Sequence, residues 1–323
     1  MDEQQQPDVA VLMATYNGRA YVGEQIRSLM DNTTPFKLHW LDDLSTDGTR
    51  GMVRDAAKKA RLELIEWHQP FRLGATLAFF RLLECVAADI YLFCDQDDIW
   101  QPGKIDATVF DLFPDSQTPT LCFSDPLVFV DGESGIRGRF TDVARVKLGD
   151  ALEKSRLFMS VVALGHTQGF TRPLRESFLR HKEIARQYAF GHDGWMYNIA
   201  VASGVARILH DAPTTLYRRH AENVSGIFFR RNRRGIDMNL SNWSVLQMLR
   251  RVLSRHAEGV VLAAPTLESG PNVAQVVSIG RLMAGLAQRQ SLKDIARLVA
   301  KRALYPNWRI ALSMAILCLL TDA

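Results

Sequence analysis

The stretch Ile90-Tyr-Leu-Phe-Cys-Asp95-Gln-Asp97-Asp98-Ile-Trp100 decides how this chain is read. A short apolar run of strand-favouring residues breaks into three carboxylates within four positions. Like charges at contact distance repel, the more so where a strand carries them out of water. A divalent cation is the usual relief, held by oxygen ligands from the acids themselves. Taken alone the stretch fits a solvated acidic turn equally well, so its meaning depends on its neighbours.

Working outward, residues 9–14 form a similar apolar run and end in Thr15-Tyr16-Asn17-Gly18. Val22, Ile26 and Met30 then repeat at i, i+4, with Leu29 widening the stripe, which predicts a helix. Residues 36–41 read as a second strand, ending in Asp42-Asp43-Leu44-Ser45-Thr46-Asp47-Gly48-Thr49. Ser45, Thr46 and Asp47 are capable N-caps for a second helix carrying Met52, Val53, Ala56, Ala57 and Ala60. Residues 62–67 give a third strand and residues 74–88 a third helix, which leads into the 90–94 strand. Four alternations of strand and helix predict an α/β fold with a mainly parallel central sheet flanked by helices. In such sheets ligands bind beyond the carboxyl ends of the strands, where the strand order switches. Thr15-Tyr16-Asn17, Asp42-Asp43 and Asp95-Gln-Asp97-Asp98 all follow strands and should converge on one crevice.

The second half is less regular. Residues 121–130 look strand-like but are interrupted by Asp125-Pro126, which predicts a bend or an edge position. Residues 132–149 are polar and rich in Gly and Arg, the composition of a mobile loop. After Gly165-His-Thr-Gln-Gly169-Phe, a helix is expected over 174–189. Gly191-His192-Asp193-Gly194-Trp195 opens another helix through Ala202. A strand at 206–209 precedes Leu216-Tyr217-Arg218-Arg219-His220-Ala-Glu-Asn223-Val-Ser-Gly226. Beyond it Phe228 and Phe229 adjoin a basic cluster of Arg230, Arg231, Arg233 and Arg234. Helical segments are expected at 243–256, 273–288, 292–304 and 308–320, the last nearly all apolar. The reading divides the chain into a catalytic domain, 1–228, and a helical carboxyl-terminal extension, 229–323.

With 323 residues, 47% hydrophobic and 23% charged, the chain can bury a substantial core. A net charge of +4 is too mild to imply nucleic acid. Four cysteines without a C-x-x-C pair read as buried thiols of a reducing compartment. The polar amino terminus has no signal-like apolar core, and the 310–320 run is short of the roughly 20 residues a spanning helix needs. A cytoplasmic location is expected. The dinucleotide, P-loop, nucleophile-elbow and zincin motifs are absent from the sequence. What remains is carboxylates, histidines and arginines, a set suited to handling a phosphorylated donor through a hard metal ion.

Five blocks, in order, resemble the inverting family 2 glycosyltransferases of the GT-A fold, within them the bacterial rhamnosyltransferase-like branch. They are Ala14-Thr-Tyr-Asn-Gly18; Asp42-Asp43 with Ser45-Thr-Asp-Gly-Thr49; Asp95-Gln-Asp-Asp-Ile-Trp100 with Lys104; His192-Asp193; and Tyr217-Arg-Arg-His220 with Asn223-Val-Ser-Gly226. The resemblance implies a GT-A nucleotide-diphospho-sugar transferase fold and a divalent metal, Mg²⁺ or Mn²⁺. Thr15, Tyr16 and Asn17 would line the nucleotide pocket, and Asp42 or Asp43 would bond the base. Asp95, Asp97 and Asp98 match the D-x-D-type block, with Asp97 toward the ribose or metal and Asp98 toward the metal. His220 would complete the metal's coordination or touch the diphosphate, and Arg218 would hold phosphate oxygens. Asp193 matches the catalytic base, with Gly165, Thr167, His192 and Trp195 on the acceptor side. Trp100 and Lys104 are expected to pack and pair locally. The sequence departs from the pattern at Leu44, where Gly usually follows the Asp pair, and at Ala78 and Gly194.

The implied reaction moves a sugar, L-rhamnose from dTDP-rhamnose, onto a bacterial cell-surface glycan or lipid-linked oligosaccharide. A UDP-hexose transferase is the same-class alternative. A metal-dependent phosphohydrolase, or a nucleotide-sugar-binding protein without catalysis, is the alternative of another class. The basic, apolar extension suits either peripheral docking on the inner membrane or packing on the catalytic domain or a second copy.

Overall fold

The structure, a computed structural model, describes residues 6–144, 148, 162–209, 214–221, 223, 229–232, 235–238, 243–267 and 272–285. The helices expected at 292–304 and 308–320, Arg233, Arg234, residues 224–226 and most of 145–161 lie outside the described residues. The amino-terminal half follows the expected alternation: β1 (Val9–Thr15), α1 (Val22–Ser28), β2 (Lys37–Asp42), α2 (Thr49–Ala60), β3 (Leu64–Trp67), α3 (Ala75–Cys85) and β4 (Ile90–Cys94). Next come β5 (Ile99–Trp100), α4 (Lys104–Leu112), β6 (Thr120–Phe123), β7 (Leu127–Val130), β8 (Ile136–Arg139) and α5 (Phe140–Ala144). The chain continues with β9 (Gly169–Thr171), α6 (Arg172–Arg180), α7 (Lys182–Tyr188), α8 (His192–Ser203), β10 (Val205–Ile208) and β11 (Thr215–Arg219). It ends, among the described residues, with β12 (Phe229–Asn232), β13 (Gly235–Met238), α9 (Trp243–Ala263) and α10 (Val273–Ala284).

Seven strands form the central sheet in the order β10-β6-β9-β4-β1-β2-β3. β4, β1, β2 and β3 are mutually parallel, and β9 alone runs antiparallel, between β4 and β6. The order switches direction between β1 and β4, so the crevice lies beyond their carboxyl ends. The continuous apolar runs follow from burial on both faces. In β1, Val9, Val11 and Met13 face one core with Val22, Ile26, Val53 and Ile105, while Ala10 and Leu12 face the other with Phe79, Phe80, Met196 and Ile199.

A second sheet, in the order β5-β11-β7-β8, stands at the carboxyl edge of the first. The expected break at Asp125-Pro126 is where the chain leaves one sheet for the other: β6 pairs with β9 and β10, β7 with β11 and β8. Two expectations need correction. The helix over 174–189 is two helices, interrupted at His181 with φ −132°. Phe229, Arg230 and Arg231 lie in an antiparallel hairpin, so the extension expected to be helical from 229 opens on two strands. α9 and α10 then return to the catalytic half: Leu253, Ala257, Val260, Ala263, Val276, Ile279 and Met283 share one core with Trp195, Met196 and Ile199 of α8. No helix among the described residues is long and apolar enough to cross a membrane.

Candidate active site

β1 and β2 deliver the first two blocks side by side, with Thr15 in register with Asp42. Thr15 donates its hydroxyl to Asp42 Oδ1 at 2.9 Å and accepts the Trp40 indole N–H at 2.9 Å. Asp42 also receives the Ser45 N–H at 2.9 Å, the Ser45 hydroxyl and the Arg50 guanidinium at 2.7 Å. Burial opposes its ionisation, yet the Ser45, Arg50 and Thr15 donors together hold the carboxyl below its ordinary range. Asp43 is equally enclosed: it takes the Leu73 and Gly74 N–H groups at 2.7 Å each and the Gln69 amide, steadying the entry to α3. All the acceptor positions of Asp42 are used by the chain itself, whereas Asp43 Oδ2 takes one hydrogen bond, from Gly74, with the Arg72 guanidinium 3.9 Å away. Leu44 holds φ +64°, the left-handed conformation that glycine would take without strain, so the departure at this position leaves the turn's shape intact.

Tyr16 lies at the mouth of the crevice, with the Arg72 guanidinium 3.6 Å over its ring. Its backbone is clasped by Gln96, which accepts the Tyr16 N–H at 2.9 Å and donates to the Tyr16 carbonyl at 3.1 Å. Asn17 accepts the Thr46 N–H on its side-chain oxygen at 2.9 Å and joins the first loop to the second. Gln96 and Arg72 were not singled out from the sequence. A polar residue within an acidic block gives no sign that it will reach back to another strand.

Beyond β4 the acids diverge. Asp97 Oδ2 and His220 Nε2 face each other at 2.8 Å, with the Asn223 amide 3.0 Å from the same ring nitrogen. The His220 ring rests on Tyr21 at 4.6 Å between centroids, and the His220 backbone N–H donates to Asn223 Oδ1 at 2.7 Å. Asp98 turns the other way and is 1% exposed. Its Oδ1 accepts the Arg218 backbone N–H at 2.9 Å, and Oδ2 lies 3.2 Å from His166 Nδ1 without hydrogen-bond geometry. Burial, then Asp97 and Asp95, lifts Asp98 well above its ordinary range, and burial, then Lys104, drives His166 well below. Asp98 is therefore remote from the Asp97–His220 pair in role, tying β11 to the loop after β4. Among the described residues no three His, Cys, Asp or Glu side chains gather as a ready metal cage.

Asp95, half-buried, is pushed up to about 8 by burial and then by the Asp97 and Asp193 charges. The Asp193 contribution reflects the approach of α8 to the end of β4, and Lys104 opposes the rise. Lys104 is the nearby cation, but it is spent elsewhere: it donates to the His166 carbonyl and to Thr215 Oγ1 at 2.9 Å and lies over the Trp100 ring at 3.8 Å. Burial lowers it to about 7. Arg218 is also committed. It donates to the Asp97 carbonyl at 2.8 Å and to Asp131 at 3.0 Å, and it pairs with Glu24. Its guanidinium braces the strand end that carries His220 and does not stand open to phosphate.

Asp193 begins α8. Its Oδ2 accepts the Gly165 N–H at 3.2 Å and its Oδ1 the Gly194 N–H at 2.8 Å, while Gln168 holds its carbonyl at 3.1 Å. Gly165 thus touches the candidate base through its backbone, while Thr167 is buried and returns its hydroxyl to the Leu164 carbonyl. His192 is stacked on Phe79 at 4.0 Å, and burial lowers it to about 4. Trp195 points inward, donating to His181 Nε2 at 3.2 Å, so it belongs to the core and not to an acceptor surface.

Residues 10–112, which hold the first three blocks, match the family described as Glycosyl transferase family 2. The chain is 25% identical over 225 residues to a dTDP-rhamnosyl transferase, RfbG, of Shigella flexneri, covering 66% of the chain and 73% of that protein. It is 31% identical over 105 residues to a protein named as a teichuronic acid biosynthesis glycosyltransferase, TuaG, of Bacillus subtilis, covering 31% of the chain and 40% of TuaG. Its fold superimposes on S. aureus TarS in complex with UDP-GlcNAc with a TM-score of 0.54 at 14% identity, over 97% of this chain and 90% of that one.

Proposed function

We propose that the protein is a metal-dependent inverting transferase that moves L-rhamnose from dTDP-rhamnose to a hydroxyl of a bacterial surface glycan or its lipid-linked precursor. The observation that carries the reading is the Asp97–His220 pair, 2.8 Å apart at the carboxyl end of the sheet, with Asp193 of α8 near enough to the neighbouring Asp95 to act on its charge. The rhamnose donor is supported by the likeness to RfbG, at 25% identity, and the acceptor by the surface-polymer enzymes among the relatives.

The residues fit a divalent ion. A carboxylate oxygen and an imidazole nitrogen already face one another at 2.8 Å. Asp97 and His220 would hold the ion, leaving Asp98 as the brace of β11. Bound there with the diphosphate, Mg²⁺ or Mn²⁺ would offset the charge of the leaving group. Tyr16 offers an aromatic face to the base, and Asp43 Oδ2 accepts its imide N–H as a charge-assisted bond. Asp95 meets the ribose or the sugar hydroxyls. Asp193 takes the proton from the acceptor hydroxyl as that oxygen attacks the anomeric carbon opposite the diphosphate. The Gly165 and Gly194 N–H groups aim its carboxylate. In this reading residues 1–228 supply the reacting groups, and 229–323 a helical extension that lies near the cytoplasmic face of the inner membrane.

The test is a thermal-shift panel of dTDP-rhamnose, UDP-GlcNAc, UDP-glucose and GDP-mannose, each with and without Mn²⁺ or Mg²⁺. A metal-dependent rise in melting temperature, greatest for dTDP-rhamnose, is expected. A metal-dependent rise with a UDP-sugar and none with dTDP-rhamnose would overturn the donor assignment.

A further inference from the structure

α9, from beyond residue 228, packs against the helix that begins at Asp193, and His256 makes hydrogen-bonding contacts on either side of that residue. The His256 side chain is 3% exposed and has its ring edge-on to Trp195, with centroids 5.4 Å apart and planes at 89°. Its Nδ1 accepts the Phe190 backbone N–H at 3.0 Å, and its Nε2 lies 2.6 Å from the Asn198 side-chain amide. One ring therefore fastens the chain on both sides of Asp193, at Phe190 before it and at Asn198 within α8.

The hydrogen bonds fix the state of the ring. With Nδ1 accepting, neutral His256 carries its proton on Nε2 and donates it to the Asn198 amide oxygen, which belongs at that position. Burial lowers the imidazole to about 4, in keeping with a neutral ring. The helix comes close enough because residue 259 is glycine. A Cβ there would stand 2.3 Å from Tyr188 Cβ and 3.1 Å from Trp195 Cζ3.

We infer that His256 is a positioning residue for the transfer reaction: through Phe190 and Asn198, the helical extension sets the placement of Asp193. The inference rests on the reading of Asp193 as the base. A base displaced by an ångström loses much of its effect while the donor site, built from β1, β2 and β4, is untouched.

The experiment compares wild type with His256→Phe, His256→Asn and Asp193→Asn. The readout is nucleotide release from dTDP-rhamnose, UDP-GlcNAc or UDP-glucose with Mn²⁺ and water as acceptor, at temperatures well below each melting transition. His256→Phe is expected to lower kcat by about tenfold or more, with donor KM within about twofold. His256→Asn, whose amide oxygen can accept the Phe190 N–H, should recover most of that loss. Wild-type kcat in His256→Phe, or equal losses in the Phe and Asn variants, overturns the inference. Turnover by Asp193→Asn removes the reading beneath it, whereas an inactive Asp193→Asn beside a fully active His256→Phe sinks only the positioning role. If His256→Phe does not fold, hydrogen exchange in the wild type decides: a protected Phe190 amide supports the contact, and exchange at the rate of an exposed amide contradicts it.

Discussion

At the scale of single residues, the four positions from Asp95 to Asp98 carry four different tasks. Asp95 faces the crevice, Gln96 clasps Tyr16, Asp97 meets His220 and Asp98 anchors the Arg218 backbone. Their sequence announced an acid cluster at a strand end and, with the neighbouring blocks, a donor site. It did not disclose which carboxylate turns inward, because that depends on β11, about 120 residues later. Asp95 gives a pH signature in metal-free protein. Its folded-state pKa, about 8, lies above the usual 3.8, so its contribution is neutral below about 4 and becomes unfavourable as pH rises toward 8. Asp95→Asn should therefore gain stability over wild type between pH 5 and 8, by at most about 1.4 kcal/mol per pH unit. Urea melts of both proteins in chelator measure the gap; a constant gap contradicts the assignment. Asp193→Asn should cut turnover by roughly 10²–10⁴-fold, as loss of a general base does, in the same nucleotide-release assay.

At the scale of elements, the long periodic helices and the doubly buried strands were legible, since both patterns are local. The short pieces were not. β9 has three residues, and nothing in Gly169-Phe-Thr says that it inserts antiparallel between β4 and β6. Its fit is tight: a Cβ at Gly169 would stand 2.3 Å from Thr108 Cγ2 on α4. Gly169→Ala is expected to destabilise by about 1–3 kcal/mol through overpacking, read as a lower urea midpoint with an unchanged slope. The hairpin of β12 and β13 escaped the sequence reading because its arginines resemble a helical basic stripe as readily as a strand.

At the scale of the whole molecule, the boundary drawn at residue 228 follows a change in composition but not in packing. Leu253, Ala257, Val260 and Ala263 of α9 and Val276, Ile279 and Met283 of α10 lie in the core that also holds α3 and α8. Burying each large apolar side chain is worth about 1.5–3 kcal/mol, and total stabilities of domains are only about 5–15 kcal/mol. A chain ending at residue 228 is therefore expected to lose cooperative unfolding and to bind hydrophobic dye. A sharp calorimetric transition near the full-length value would refute the shared core.

Two tasks are separate in the proposed reaction: Asp97 and His220 would hold the leaving group, and Asp193 would direct the attack. Titration calorimetry of dTDP with Mn²⁺ into wild type, Asp97→Asn and Asp193→Asn tests that separation directly. Asp97→Asn should weaken metal-dependent binding by about tenfold or more, while Asp193→Asn binds as wild type does. Unchanged binding by Asp97→Asn, or an equal loss in Asp193→Asn, would contradict it.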